Sequence, residues 1–331
     1  MKKDFISIQD FTKQDIEEIF ALTDDVKAGT EDFNGALKGK TLALIFQKPS
    51  SRTRVSFEVG MTQLGGHTIY LGPDDIQLGV REATKDVASV LSRYVDGIVA
   101  RTFSHSDIVE LAKNSTIPVI NGLSDLLHPC QAMADVYTIR EKGSAEGACL
   151  PVRQGSASGG KRVKVAYVGD GNNVLHSLLH CCGKAGIDVS VATPKGYKPK
   201  GQIVKEAEQE AAKSGSVISF TNNPAQAVKG ADIIYTDVWT SMGQEKEYKK
   251  RLKAFKGFQI NKKLVLLANK GCLVMHCLPA HRGEEITDEV LDGPNSIVLD
   301  EAENRLHVQK AILIKLLSPS FQIKKNQRNS G

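Results

Sequence analysis

The chain has 331 residues, 41% of them hydrophobic and 24% charged, with a formal net charge of +5. That length suits two domains of ordinary size, each burying its own core, and the composition is that of soluble globular proteins. Apart from the tail "QIKKNQRNSG" the basic residues are spread out; with no basic face and no reading element, nucleic-acid binding is not expected, whereas a modest positive bias suits small anionic substrates.

Taken in order, short apolar runs alternate with amphipathic ones. "TLALIF" (41–46), "HTIYL" (67–71), "GIVA" (97–100) and "PVI" (118–120) read as buried strands, with helices predicted over 53–64, 84–94 and 105–113. Such alternation implies βαβ units and a parallel sheet. The stretch 143–161, "GSAEGACLPVRQGSASGGK", reads as a linker and a domain boundary. The pattern then restarts with "VKVAYVG" (163–169), "DVSVAT" (188–193), "SVISF" (216–220), "DIIYTDV" (232–238), "CLVMHCL" (272–278) and "SIVLD" (296–300), and closes on a helix in "EAENRLHVQKAILIKLLS". The predicted class is α/β: two domains, each a parallel β-sheet flanked by helices. Six cysteines, at 130, 149, 181, 182, 272 and 277, show no disulfide spacing and no CxxC, so free thiols in a reducing compartment are expected. The start "MKKDFISIQD" has no apolar h-region and no window approaches a membrane span, so a cytoplasmic protein without membrane contact is expected.

In open α/β sheets ligands sit beyond the carboxyl ends of the strands, so the residues that follow strands are the candidates. "SSRTR" (50–54) puts two guanidinium groups and three hydroxyls into five residues. An anion between the arginines would offset their repulsion, and a following helix would add N–H groups and a positive dipole end. A solvated basic turn with a serine N-cap is the alternative. The glycines of a Walker loop are missing. Arg101 follows "GIVA", where a structural salt bridge is equally open. His128, in "HPCQ", precedes a proline suited to a first helical turn. With Gln131 it could polarise a carbonyl or orient a phosphate, although a structural histidine is the alternative.

"YVGDGNNVLHS" (167–177) approaches a dinucleotide fingerprint, but its sixth position is Val174 and "SVATPKGY" lacks the ribose-binding acid. NAD is not expected there, and Asn172 and Asn173 are left at the strand edge. His176 and His180, with Cys181 and Cys182, have a spacing that could hold zinc, but the HExxH glutamate is absent and no metal is expected. Asp237 is either a cap or a carboxylate for an ammonium group, followed by a turn at Ser241, Met242 and Gly243. Cys277 beside His276 suggests either a nucleophile or a polarizable thiol lining a pocket; Pro279 favours the lining role. Arg305 is expected to open the final helix, where it opposes the dipole and so calls for an anionic partner, with Glu301 and Glu303 as alternatives to a ligand. Together the first half offers residues for an anion bearing a carbonyl, and the second half for an ammonium-bearing small molecule. That describes a two-substrate transferase with its active site in the cleft between the domains.

"SSRTRVSFE", "HPCQ", "DVWTSMG" and "HCLP", in this order, resemble the motif set of the aspartate/ornithine carbamoyltransferase family, the last two its ornithine branch. The resemblance implies a carbamoyl-phosphate domain over 1–142, joined by the C-terminal helix at about 303–320, the 143–161 linker, and an ornithine domain over 162–302. It implies transfer of the carbamoyl group of carbamoyl phosphate to the δ-amine of L-ornithine, giving L-citrulline and phosphate in arginine biosynthesis, by a cytoplasmic homotrimer with no cofactor and no metal. By motif, Ser50, Ser51, Arg52 and Thr53 would hold the phosphate. Arg101, His128 and Gln131 would bind the carbamoyl group, and Gln77 would reach a neighbouring subunit's phosphate site. Asn173, Asp237, Ser241 and Met242 would contact ornithine. Cys277 and Leu278 would line the meeting point of the substrates, and Arg305 would close on the carbonyl oxygen. The catalytic set so implied is Arg101, His128, Asp237, Cys277 and Arg305. Ser51 stands where the family usually has threonine, and the 143–161 stretch is longer than usual. Aspartate, acetylornithine and putrescine are competing acceptors, and a regulatory or metal-storage protein without turnover is the competing class.

Overall fold

The computed structural model describes residues 3–29, 32–144, 162–241 and 243–318. The first half holds β1 (Thr41–Phe46), β2 (His67–Leu71), β3 (Gly97–Arg101) and β4 (Val119–Leu123), all parallel, in the spatial order β2-β1-β3-β4. Between and around them run α1 (Lys13–Ala28), α2 (Ser51–Gln63), α3 (Thr84–Leu91), α4 (His105–Asn114) and α5 (Pro129–Ser144). Leu42 to Phe46 are fully buried. A parallel strand covered on both faces needs an unbroken apolar run, which is why "TLALIF" does not alternate.

The second half holds β5 (Lys164–Val168), β6 (Asp188–Ala192), β7 (Ile218–Thr221), β8 (Ile233–Thr236) and β9 (Leu273–His276), again all parallel, in the order β7-β6-β5-β8-β9. Its helices are α6 (Asn173–Ala185), α7 (Gly201–Ser214), α8 (Pro224–Val228), α9 (Tyr248–Ala254), α10 (Lys262–Val265), α11 (Asp288–Leu291) and α12 (Val298–Leu317). One compact unit runs to Met133 and resumes at Glu303; the other runs from Ala134 to Ala302. The chain thus passes from one unit to the other inside α5 and again inside α12. Of the expected linker, residues 143 and 144 end α5 and 145–161 lie outside the described residues. Among the described residues no helix is long and apolar enough to cross a membrane.

The expected strand at 296–300 does not form. Ser296 makes a single bridge to Val274, and α12 begins at Val298. A short apolar run fits a buried strand or a buried helix start equally well by periodicity. Here the helical stripe that continues through the buried Val308, Ala311 and Ile312 prevails.

Candidate active site

In each sheet the strand order reverses once, between β1 and β3 in the first unit and between β5 and β8 in the second. A crevice opens at such a point beyond the strands' carboxyl ends. In the first unit, β1 ends at Phe46 and leads into α2, whose N-cap is Ser50. The Ser50 side chain accepts from the Thr53 N–H at 3.3 Å, so Ser51, Arg52 and Thr53 occupy the first turn. The two arginines of "SSRTR" then part company. Arg54 donates to Glu58 Oε1 at 2.9 Å and lies over the Tyr70 ring at 3.7 Å, so it is engaged outside the cradle. The charge of Arg52 acts on Arg101 and His128, described next.

Arg101 ends β3 at a register shift between Ala100 and Arg101, a local irregularity that re-aims a side chain. His128 immediately precedes α5, and Gln131 lies in its first turn. Arg305 brings these residues together: it donates to Gln131 Oε1, to Thr53 Oγ1 at 3.2 Å and to Gln309 Oε1 at 3.0 Å. Ser56 donates to the same Gln309 oxygen at 3.1 Å, tying α12 to α2. Arg305 is not at a helix start, as the sequence suggested, but seven residues into α12. The dipole argument lapses, because that field is confined to the first turn. What places Arg305 is tertiary packing, through Thr53, Gln131 and Gln309.

Arg101, His128, Gln131, Thr53 and Arg305 are all at most 7% exposed. Burial, and then the charges of Arg305 and Arg52, push the Arg101 guanidinium down. Burial, followed by Arg305, Arg101 and Arg52, holds His128 well below the usual histidine range. A neutral imidazole among three guanidinium groups at a helix N-terminus is an electrostatic setting that favours an anion. Ser51 is exposed at the helix start, and Gln77 is exposed in the loop between β2 and α3.

In the second unit, Asn172 caps α6, its side-chain oxygen accepting from the Val174 and Leu175 amides. Its Nδ2 donates to Asp237 Oδ2 at 2.7 Å. Asp237 follows β8 and is 5% exposed; its Oδ1 accepts from the Val238 N–H at 2.8 Å and the Cys277 thiol at 3.0 Å. Burial, then Asp237, pushes the Cys277 thiol well up. Cys277 is therefore a thiol that donates, not a thiolate nucleophile. Next to it, Leu278 has a φ of 54°, in a region where a branched side chain is rare, ahead of a cis bond to Pro279. Asn173 and Ser241 are half-buried at the same strand ends; Met242 lies outside the described residues. Arg251 pairs with Asp170 at 2.7 Å and donates to the Trp239 carbonyl at 2.9 Å, bracing the segment that follows Asp237.

Sequence reading named His276 only as a neighbour of Cys277 and missed its pairing with Glu285. The His276 ring accepts from the Leu278 N–H at Nδ1 (2.8 Å), so Nε2 carries the proton toward Glu285 Oε1 at 3.0 Å. The i to i+9 spacing gave no signal. Donor atoms of Asp237, His276 and Cys277 lie within 4.8 Å of one another. Each serves a defined protein hydrogen bond here. His176 Nε2 accepts from the Lys200 N–H at 3.1 Å, and His180 Nε2 faces Glu206 at 3.1 Å, so that pair anchors α6 to α7. The Gly171 N–H donates to the Tyr197 carbonyl at 2.9 Å, and a Cβ there would overlap the backbone of Lys198 and Pro199.

The fold is that of a two-unit, doubly wound α/β protein, one unit carrying a cationic cluster at its strand ends and the other a carboxylate–thiol pair. The chain belongs to the aspartate/ornithine carbamoyltransferase family: residues 3–141 match its carbamoyl-P binding domain and residues 161–316 its Asp/Orn binding domain. It is 53% identical to the ornithine carbamoyltransferase of Thermococcus kodakarensis, over 94% of this chain and 95% of that one. It is 50% identical to that of Bacillus subtilis, over 95% and 94%. The solved ornithine carbamoyltransferase from Pyrococcus furiosus matches it with a TM-score of 0.87 at 53% identity, covering 96% of this chain and 97% of that chain.

Proposed function

We propose that this chain transfers the carbamoyl group of carbamoyl phosphate to the δ-amine of L-ornithine, giving L-citrulline and phosphate. The observation that carries this reading is near-full-length identity of about half with proteins named ornithine carbamoyltransferase, across both domains of the family. Arginine biosynthesis, cytoplasmic location and a homotrimeric state belong to the same proposal, as do the residue roles below.

The amine attacks the carbamoyl carbon as a neutral nucleophile. Asp237, held by Asn172 and Cys277, orients the incoming group. As the C–N bond forms, charge grows on the carbonyl oxygen. Arg101, Arg305 and His128, clustered in the first unit, meet that charge with little reorganisation in this reading. A neutral His128 donates a hydrogen bond without having to gain a proton. The C–O bond to phosphate then breaks, and the dianion leaves into the cradle of Ser50 to Thr53 with Arg52. One proton is released overall. Holding both reactants in register supplies much of the remaining rate.

The test is citrulline formation by purified protein with carbamoyl phosphate and L-ornithine, with aspartate, acetylornithine and putrescine in parallel. Turnover with ornithine alone is expected. Turnover with another amine instead would discard the roles given to Asp237, Ser241 and Met242, and Gln77 would be judged by whether its alanine variant weakens carbamoyl-phosphate binding.

A further inference from the structure

Behind the Asp237–Cys277 pair lies a second acidic pair that the reaction above does not use. Asp135, from α5, and Glu301, from the first turn of α12, are 0% and 1% exposed. Both meet the hydroxyl of Tyr235 on β8, at 3.1 Å from Asp135 Oδ2 and 3.2 Å from Glu301 Oε1. Asp135 also acts directly on the Glu301 carboxyl. The other oxygen of Glu301 accepts from the His276 N–H at 3.0 Å.

We infer that Asp135 and Glu301 share a single proton, and that the pair is a positioning device for the His276–Cys277 segment. A tyrosine hydroxyl has one hydrogen and can donate to one carboxylate, so two buried acids that meet at the same hydroxyl are matched when one of them keeps its proton. Two ionised carboxylates this close in a buried site would repel strongly, as in any acid pair confined to one site. Burial and Asp135 push Glu301 well up, in agreement with that count. Of the groups that face the pair, Tyr235 and the Cys277 and Cys182 thiols are all pushed up by burial, and His276 presents its backbone N–H. Asp237 is the third acid nearby, acting on Cys277 and Tyr235.

The shared proton therefore keeps the local charge from reaching three carboxylates, and leaves Glu301 free to pin the N–H that sets the path of the chain into Cys277 and Leu278. Asp135 and Glu301 act through that segment and do not touch the substrate. The kinetic consequence rests on the function proposed above; the protonation itself does not.

Two measurements test it. Infrared difference spectra at neutral pH of the wild type minus Glu301→Gln, and minus Asp135→Asn, should each show the loss of one un-ionised carboxyl band, because an amide donor lets the remaining acid ionise. Loss of carboxylate bands alone, in both variants, would overturn the shared proton, whether or not the protein turns over ornithine. In kinetics, Glu301→Ala should raise KM for the amine by about tenfold with KM for carbamoyl phosphate unchanged. Glu301→Gln, which keeps an acceptor for the His276 N–H, should recover most of that loss. Equal effects on both substrates, or no recovery with glutamine, would overturn the positioning role.

Discussion

The thiol of Cys277 donates to Asp237 Oδ1 across 3.0 Å, and burial together with that carboxylate pushes the thiol well up. Its thiolate fraction at neutral pH is accordingly small. Alkylation of Cys277 by iodoacetamide, followed by mass spectrometry, should be at least about tenfold slower in the native protein than in urea. Cys277→Ser retains a donor for Asp237 and should keep more activity than Cys277→Ala, which leaves that oxygen without its donor.

His128 should behave as a neutral donor throughout the neutral range. Its alanine variant is expected to lose about 10²–10³ in kcat/KM, the scale of a deleted donor to developing oxyanion charge. The linkage follows from the lowered pKa. Below about pH 6.5 the unfolded chain takes up a proton at this histidine that the folded chain refuses. More protons are then bound in the unfolded state, and stability falls on acidification through that window. Urea unfolding at pH 7 and pH 5 should show a smaller difference for His128→Gln than for the wild type.

The crowding of Arg52, Arg101 and Arg305 makes ligand-free protein electrostatically strained, and an anion relieves it. Inorganic phosphate should raise the melting temperature; a ligand at 100 times its Kd adds about 2.7 kcal/mol. Arg101→Met should abolish most of that rise while leaving the ligand-free protein no less stable, because it removes a desolvated like charge. Differential scanning calorimetry with and without phosphate checks both outcomes.

The buried thiols Cys130 and Cys272 are pushed up to about 12, in each case first by burial. In the unfolded chain a thiol ionises near about 8.5. Between those values the native state binds more protons than the unfolded state, so stability falls as pH rises, by about 1.4 kcal/mol per pH unit for each thiol. Urea midpoints measured between pH 9 and pH 10.5 should fall less steeply for Cys272→Ala than for the wild type.

Most strands were legible because parallel strands covered on both faces require continuous apolar runs, as in "TLALIF" and "VKVAYVG". The failure at "SIVLD" is instructive: five apolar-rich residues do not distinguish a strand from a helix entry, and the partner surface decided. "SSRTR" identified a cation-rich helix start but not the division of labour within it. Arg54 goes to Glu58 and Tyr70, which are four and sixteen residues away along the chain, and local spacing does not reveal an aromatic ring on the next strand.

What the sequence by itself determined is the α/β class, the repetition of the architecture in two halves, and the residue types after each strand that carry charge, hydroxyl or thiol chemistry. These depend on local rules: the side-chain period, the turn residues and the position after a strand. Only the tertiary structure decided that Arg305 reaches Thr53 and Gln131, that Asn172 and Cys277 hold Asp237, and that Asp135 and Glu301 meet at Tyr235. Those partners lie 40 to 252 residues apart. Their protonation depends on burial and on neighbouring charge, neither of which exists until the sheets have formed and α5 and α12 have packed against them.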